Sequence, residues 1–287
     1  MIHIVTVHWK DDRWIDIQLK YFKENIKSTF RIYAFLNDIP SEHEPKFYYC
    51  STEPIIPHAV KLNVLADIVW FNAVSPDDWL IFIDGDAFPI ADIVAFGEEH
   101  LRKYPLLAIQ RKENSGDIQP HPSFCLTTVG FWKSIRGDWK PGHQWLNDQD
   151  RLVTDVGGNL MKILNENHME WYPLTRSNTI NWDPLFFGIY DDLIYHHGAG
   201  FRRPWERVHL SVDAGDDIKG RFRGLYARGM ALYNIFPNSR IYNRFLKWLN
   251  PRRKLVDLIV ADRQNLSERV FKMVQEDFYF YKTFNAS

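Results

Sequence analysis

Two aspartates separated by one glycine, Asp84-Gly85-Asp86, follow an apolar run and have the chemistry to hold a metal ion. Hard divalent cations prefer carboxylate oxygens and also take phosphate oxygens as ligands. The apolar residues 79–83 predict a buried strand as a rigid base for the carboxylates, and Pro89 would stop that strand from continuing. The pattern therefore predicts a diphosphate-metal site, with an ordinary Asp-Gly turn as the alternative.

A second group suited to phosphate lies in residues 197–205. A neutral imidazole can complete a carboxylate-bound metal site, glycines let backbone amides approach phosphate, and arginine offers a bidentate fork to its oxygens. We therefore expect His197 as a third metal ligand beside Asp84 and Asp86. Ordinary loop histidines and a solvated arginine pair are the alternative.

These features together resemble a known family. The N-terminal strand, Asp84-Gly85-Asp86 and the distal histidine are similar to the GT-A glycosyltransferases, which use a metal to bind a nucleotide sugar. The segment His197-x-x-Gly200-x-x-Arg203-Pro204-Trp205 looks like the H-x-x-G-x-x-K-P-W signature of the glycogenin-like branch, with Arg203 in place of lysine. The resemblance covers residues 1 to 210, and it implies that Gly200 and Arg203 contact the donor.

Four residues are candidates for the acceptor side: Asp148, Gln149, Asp150 and Asp155. The first three are similar to the D-Q-D segment of that branch, although Val153 stands where the branch has asparagine. An inverting transferase needs a carboxylate that accepts the proton of the acceptor hydroxyl, and Asp150 or Asp155 would take that role. In the retaining branch, the glutamine that matches Gln149 lies near the reacting sugar carbon. A helix cap and a solvated turn are the alternative.

The first hundred residues alternate strand and helix patterns, as a parallel sheet requires. Residues 2–7 and 30–36 predict strands, and residues 58–70 predict a helix with one apolar face. The resemblance implies an α/β fold of the GT-A type, which is Rossmann-like with a mostly parallel central sheet. We expect a catalytic domain over residues 1–212 and a helical C-terminal extension over 213–287.

Donor contacts are expected where the parallel strands end, because ligands of open α/β sheets gather there. The candidates at the ends of the first two strands are Thr6, Val7, His8 and Asp38. Asp38 could equally form a turn before Pro40. Residues 58–63 resemble the segment that faces the donor in many GT-A enzymes, which adds Lys61 and Asn63.

Composition is that of a folded protein with a sizeable core, since the 287 residues are 45% hydrophobic and 25% charged. A net charge of -1 predicts no general attraction to nucleic acid. Two cysteines argue against a disulfide framework and favour a reducing compartment. The apparent strand at residues 2–7 leaves no room for a signal peptide, so we expect a cytoplasmic protein.

A basic stretch from Lys219 to Lys254 contains ten Lys and Arg residues and no acidic residue. Interleaved aromatic residues, among them Phe245 and Trp248, would give helices an apolar side. Basic amphipathic helices of this kind can lie on anionic lipid surfaces, which predicts a peripheral membrane contact. Docking of the apolar side on the catalytic domain is the alternative.

The sequence thus favours a metal-dependent glycosyltransferase that moves a sugar from a nucleotide donor, a UDP-sugar by resemblance, to a hydroxyl of a glycan or lipid-linked acceptor. Asp84, Asp86 and His197 would hold Mn²⁺ or Mg²⁺. One alternative is a haloacid-dehalogenase-type phosphotransferase, although Phe88 replaces the threonine or valine usual there. Another is a non-catalytic domain that binds a sugar nucleotide or a glycan.

Overall fold

A computed structural model describes residues 1–198 and 251–285, and for residues 251–259 it gives the backbone alone. The chain divides into two compact units, of which the first comprises Met1–Phe201 and Val274–Ser287 and the second Arg202–Met273. The domain boundary expected from the sequence, between residues 212 and 213, lies outside the described residues. The end of the chain belongs to the same unit as the N-terminal two hundred residues.

Strands account for most of the framework of the first unit. Their bounds are β1 Ile2–Trp9, β2 Phe30–Asn37, β3 Tyr49–Ser51, β4 Trp79–Asp84, β5 Ala87–Pro89, β6 Leu106–Ile109, β7 His121–Thr128, β8 Trp145–Leu146, β9 Leu152–Val153, β10 Tyr172–Leu174, β11 Gly188–Tyr190 and β12 Ile194–His196. Seven of them form one sheet in the order β10-β6-β7-β4-β1-β2-β3. Strand β7 runs antiparallel to β4 and β6, and the other pairs are parallel. The predicted α/β fold with a mostly parallel central sheet is confirmed.

Helices follow several of these strands. Their bounds are α1 Arg13–Asn25, α2 His58–Asn72, α3 Ile93–His100, α4 Val129–Ser134, α5 Gly158–Glu166 and α6 Pro251–Glu276, with short 3-10 helices at Ser41–Lys46 and Phe280–Phe284. Within the described residues, no helix combines the length and the apolar composition that a membrane crossing needs.

Apolar side chains cover both faces of the central sheet. Ile81 of β4 belongs to a core that includes Phe22 of α1, whereas its neighbour Phe82 belongs to a second core that includes Leu65 of α2. Successive strand residues point to opposite faces, so α1 and α2 cover opposite sides of the sheet. The end of β4, where Asp84 stands, therefore lies between the two helices.

A smaller sheet continues the chain beyond the two aspartates. Strand β5 pairs antiparallel with β12, which places Ala87 opposite His196 and Phe88 opposite Tyr195. This pairing joins residues more than a hundred positions apart. It brings the histidines of the 196–197 pair next to Asp86.

The C-terminal segment packs on this small sheet and on α1. Phe280 and Phe284 are buried, and the Phe280 ring lies 4.8 Å from the Tyr195 ring, measured between ring centroids. The Phe278 ring stacks on Tyr21 of α1 at 4.6 Å, and the Tyr21 hydroxyl donates a hydrogen bond to the Phe278 carbonyl at 2.7 Å. Phe280 and Phe284 therefore form part of the core behind β5 and β12.

Asp78, a buried carboxylate just before β4, makes the free energy of unfolding depend on pH in the acid range. Burial alone would raise the pKa of Asp78, but hydrogen bonds from the Met1 amino group, the Val74 amide and His3 lower this pKa to about 2. The folded pKa lies below the unfolded value of about 3.9, so this stabilisation is complete above about pH 4 and disappears as the pH falls through 2.

We expect Asp78→Asn to lower the free energy of unfolding at pH 7 by about 1–2 kcal/mol and to flatten its decline between pH 4 and 2. Urea unfolding at a series of pH values measures both effects. Asp77→Asn, at an exposed neighbouring carboxylate, is the control and should change neither. An unchanged acid profile in Asp78→Asn would contradict the assignment.

Candidate metal and nucleotide site

Asp84, Asp86 and His196 bring two carboxylates and an imidazole together at the end of β4. The His196 Nε2 atom lies 3.6 Å from Asp84 Oδ2 and 3.6 Å from Asp86 Oδ1. One potential ligand atom from each residue lies within 4.8 Å of the others. Asp86 and His196 are buried and Asp84 is partly exposed, so a ligand could approach from the Asp84 side.

The donor set fits a divalent cation. Neighbouring ligands of an octahedral ion at about 2.1 Å are about 3.0 Å apart. The two histidine–carboxylate distances of 3.6 Å are about 0.6 Å longer than this spacing. In the described part of the chain, the buried Asp84 Oδ1 accepts no well-formed hydrogen bond, although His58 Nε2 lies 3.2 Å away. Two carboxylate oxygens with one imidazole are suitable ligands for a divalent cation.

Neighbouring imidazoles favour the ionised form of Asp84. Burial alone would raise the pKa of Asp84, but the interaction with His58, followed by that with His196, lowers this pKa well below its usual range. Asp84 is therefore a carboxylate at neutral pH, as a metal ligand must be.

In the structure His196, and not the predicted His197, lies beside the two carboxylates. The two residues are adjacent, and side chains on a strand alternate between its faces. His197 shares its face with Tyr195, whose hydroxyl lies 2.9 Å from His197 Nδ1, and its ring lies 4.6 Å from Trp14. The pairing of β12 with β5 turns His196 toward the carboxylates instead.

Gly85 allows the two aspartates to lie against the end of β1. A Cβ atom at this position would lie 2.6 Å from the Val7 carbonyl oxygen and 2.8 Å from His8 Nδ1, both closer than contact distance. Val7 is also the residue that pairs with Asp84 in the sheet. Any side chain at position 85 would therefore push the Asp84–Asp86 turn away from β1.

We expect Gly85→Ala to lower the free energy of unfolding by about 1–3 kcal/mol, the usual cost of overpacking. Chemical denaturation of this variant and of the wild type measures the difference. Wild-type stability of Gly85→Ala would contradict the close approach at Gly85.

The predicted donor residues Lys61 and Asp38 lie near each other at the same sheet edge. Lys61 is 3% exposed, and among the described residues it has no hydrogen-bond or ion-pair partner. Burial lowers its pKa, which the nearby Asp38 charge opposes. Its Nζ lies 5.8 Å from the ring centroid of Trp9, a residue that sequence reasoning missed. One helical turn earlier, His58 reaches Asp84, so the first turn of α2 connects these residues with the aspartates.

The other predicted donor residues are less accessible. Thr6 is fully buried, with Oγ1 3.4 Å from Gln18 Oε1, and Val7 supports Gly85. His8 is also buried, and burial lowers its pKa to about 4, a shift that the nearby Gln18 amide opposes. Its Nε2 atom has no hydrogen-bond partner in the described ranges.

Asn63 joins two elements of the fold, and its predicted donor contact stays a prediction. Its Nδ2 donates to Asp138 at 2.6 Å, and its Oδ1 accepts from the Trp139 amide at 3.1 Å. Both ends of this amide therefore fasten α2 to the 138–139 loop.

The predicted acceptor residues Asp148, Gln149 and Asp150 are exposed in the turn of the β8–β9 hairpin. The amide of Asp148 donates to the Ser115 carbonyl, and Asp150 has a left-handed backbone with φ of 54°. The structure does not place these side chains in the Asp84–Asp86–His196 group. Their acceptor roles stay a prediction.

Asp155 is joined to the site indirectly. Its Oδ2 lies 3.2 Å from an Arg111 NH2 group that also lies 3.3 Å from buried Asp117. Burial raises the pKa of Asp117, and Arg111 opposes this shift. The Arg111 charge also acts on His121, whose ring centroid lies 6.4 Å from that of His196.

His121 is a further site residue that sequence reasoning missed. Burial, with the Arg111 charge, lowers its pKa well below the usual value, so its imidazole is neutral. Its Nδ1 accepts a hydrogen bond from the Ser123 amide at 3.1 Å, which places the proton on Nε2. Nothing in the sequence distinguishes this histidine from any other.

Two donor predictions, Gly200 and Arg203, lie outside the described residues, as does most of the basic stretch from Lys219 to Lys254. For Arg252, Arg253 and Lys254, which begin α6, only the backbone is described. Their roles stay predictions.

Solved glycosyltransferase structures are similar to this chain over part of its length. The apo form of the glycosyltransferase GlyE of Streptococcus pneumoniae TIGR4 is 17% identical over 47% of this chain and 36% of that chain, with a TM-score of 0.36. A second GlyE structure is 13% identical over 60% and 45%, with a TM-score of 0.38. Apo mouse xyloside xylosyltransferase 1 is 8% identical over 46% and 68%, with a TM-score of 0.31.

This chain spans less than half the length of either GlyE chain. No family model and no curated protein matches the sequence. Similarity at this level does not define a function, so the proposal below is based on the site residues themselves.

Proposed function

We propose that this protein is a metal-dependent glycosyltransferase that uses a nucleotide-sugar donor, with a UDP-sugar as the first candidate. The observation that carries the proposal is the meeting of Asp84, Asp86 and His196 at the carboxyl end of a central strand. This is the edge at which open α/β sheets bind ligands. The motifs that resemble the GT-A glycosyltransferases add the reaction class.

The donor would extend from the aspartates along the first turn of α2. A divalent cation bound there would offset the negative charge of the diphosphate and of the departing nucleoside diphosphate. Lys61 carries a buried charge without an ion-pair partner in the described residues, which suits a phosphate oxygen. The Trp9 side chain, which is 42% exposed, and the carboxylate of Asp38 lie nearby and suit a base and a ribose.

On the acceptor side, Asp155 has the best support among the four predicted residues. Asp155 pairs with Arg111 at 3.2 Å, and the Arg111 charge acts on His121, which can donate a hydrogen bond from Nε2. Asp155 would orient or deprotonate an acceptor hydroxyl if the reaction inverts the anomeric carbon. No observation in the described residues favours the phosphotransferase alternative.

Thermal unfolding with a panel of nucleotide sugars tests the proposal without knowledge of the acceptor. A donor at 100 times its dissociation constant adds about 2.7 kcal/mol, which raises Tm by about 5–10 °C in a unit of about 200 residues. We expect this shift for at least one nucleotide sugar with Mn²⁺ and its loss with EDTA. No shift across the panel, or a shift that EDTA leaves unchanged, would contradict the proposal.

A sugar-binding domain without activity would show the same Tm shift, so turnover must be measured separately. Release of nucleoside diphosphate from the stabilising donor, with a glycan or lipid-linked acceptor, distinguishes the transferase from a binding domain. The basic stretch is proposed to bring the protein to an anionic membrane surface where such an acceptor could lie. Co-sedimentation with anionic vesicles that fails at high salt would support this contact.

A further inference from the structure

Gln18 is a buried glutamine of α1 that touches the turn bearing both aspartates. Its side chain is 1% exposed, and its Nε2 donates to the carbonyl oxygens of Asp84 at 2.8 Å and of Ala87 at 2.7 Å. An amide NH₂ group has two hydrogens, and here each of them has an acceptor. The two carbonyls stand on either side of the Gly85-Asp86 dipeptide.

The other end of the Gln18 amide is held as well. Its Oε1 accepts a hydrogen bond from the Thr6 hydroxyl at 3.4 Å. Oε1 faces a hydrogen-bond donor and Nε2 faces two carbonyl acceptors, so only one of the two flipped orientations of the amide satisfies its partners. Gln18 therefore joins the end of β1 to both ends of the Asp84–Ala87 turn.

A second amide on the same helix serves as a comparison. Asn25 lies seven residues after Gln18, on the same face of α1, and its Nδ2 donates to the Pro89 carbonyl at 2.9 Å. This bond also attaches α1 to the segment that follows the aspartates. It contacts neither end of the turn that carries them.

We infer that Gln18 is a positioning residue that fixes Asp84 and Asp86 in the geometry needed to bind the metal. The carbonyl of Asp84 belongs to the peptide that leads into Gly85, and the carbonyl of Ala87 belongs to the residue after Asp86. Fixing both peptides sets the directions in which the two carboxylates leave the backbone. Gly85 cannot supply this rigidity, because glycine restrains its backbone less than any other residue.

This inference rests on the proposed metal site, and titration of the protein with Mn²⁺ alone tests it. Gln18→Met keeps the length of the side chain and removes both donors. We expect its Mn²⁺ affinity to fall by about 10–100-fold, the usual effect of losing a partner that orients metal ligands. Asn25→Leu, measured at the same temperature well below unfolding, should stay within about twofold of the wild type.

Each outcome of the titration is informative. Wild-type affinity in Gln18→Met would overturn the inference, and so would an equal loss in both variants, because either result gives Gln18 no special role. Absence of Mn²⁺ binding in the wild type would instead overturn the proposed metal site. If Gln18→Met does not fold, Gln18→Asn is used under the same criteria, because it keeps the amide but is one methylene too short to reach both carbonyls.

Discussion

Replacing Asp86 with asparagine should lower turnover of an accepted donor by at least about 100-fold, because a bound metal contributes several kcal/mol of transition-state stabilisation. The variant loses one charged ligand from the group formed with Asp84 and His196. Folding without metal should be little affected, since the change removes one of two neighbouring negative charges that repel each other. Initial rates of product formation in Mn²⁺ measure the effect.

The control for Asp86→Asn is Asp77→Asn, which removes a carboxylate that is exposed before β4. It should retain wild-type turnover. Normal turnover in Asp86→Asn, with Mn²⁺ at the concentration used for the wild type, would remove Asp86 from the site.

Replacing Phe280 with alanine should lower the free energy of unfolding of the first unit by about 3–5 kcal/mol. This ring is 1% exposed and contacts Tyr195 and Phe88, so the smaller side chain would leave a cavity behind β5 and β12. Strand β12 carries His196, and strand β5 begins directly after Asp86. Urea denaturation followed by fluorescence measures the loss.

Tyr279, the preceding residue, is the matched control because its side chain is 53% exposed. Tyr279→Ala should change the free energy of unfolding by less than about 0.5 kcal/mol. Equal losses in the two variants would show that the C-terminal segment is not part of the core as described.

The parts of the fold and site that sequence predicts are those with a local signal. The apolar run before Asp84 and the alternating strand and helix patterns gave the parallel sheet and both carboxylates of the site. The choice between His196 and His197 has no local signal, because it depends on how β12 pairs with β5. Side chains on a strand alternate between its two faces. An error of one residue therefore assigns a side chain to the wrong face of the sheet.

Residues that reach the site from distant elements could not be predicted for the same reason. His58 lies on α2, Gln18 on α1 and His121 on β7. Each of them comes near the aspartates only in the folded chain. Packing of the C-terminal segment on Tyr21 and Phe88 likewise depends on contacts across more than 190 residues of sequence. A helical pattern near the end of the chain gives no indication of its partner.

Anomalous diffraction from crystals grown with Mn²⁺ and a nucleoside diphosphate tests the central claim most directly. We predict a manganese peak about 2.0–2.3 Å from an oxygen of Asp84, an oxygen of Asp86 and the Nε2 atom of His196, with diphosphate oxygens completing the coordination. A nucleotide bound without such a peak, or a manganese ion held by His197 in place of His196, would contradict the account.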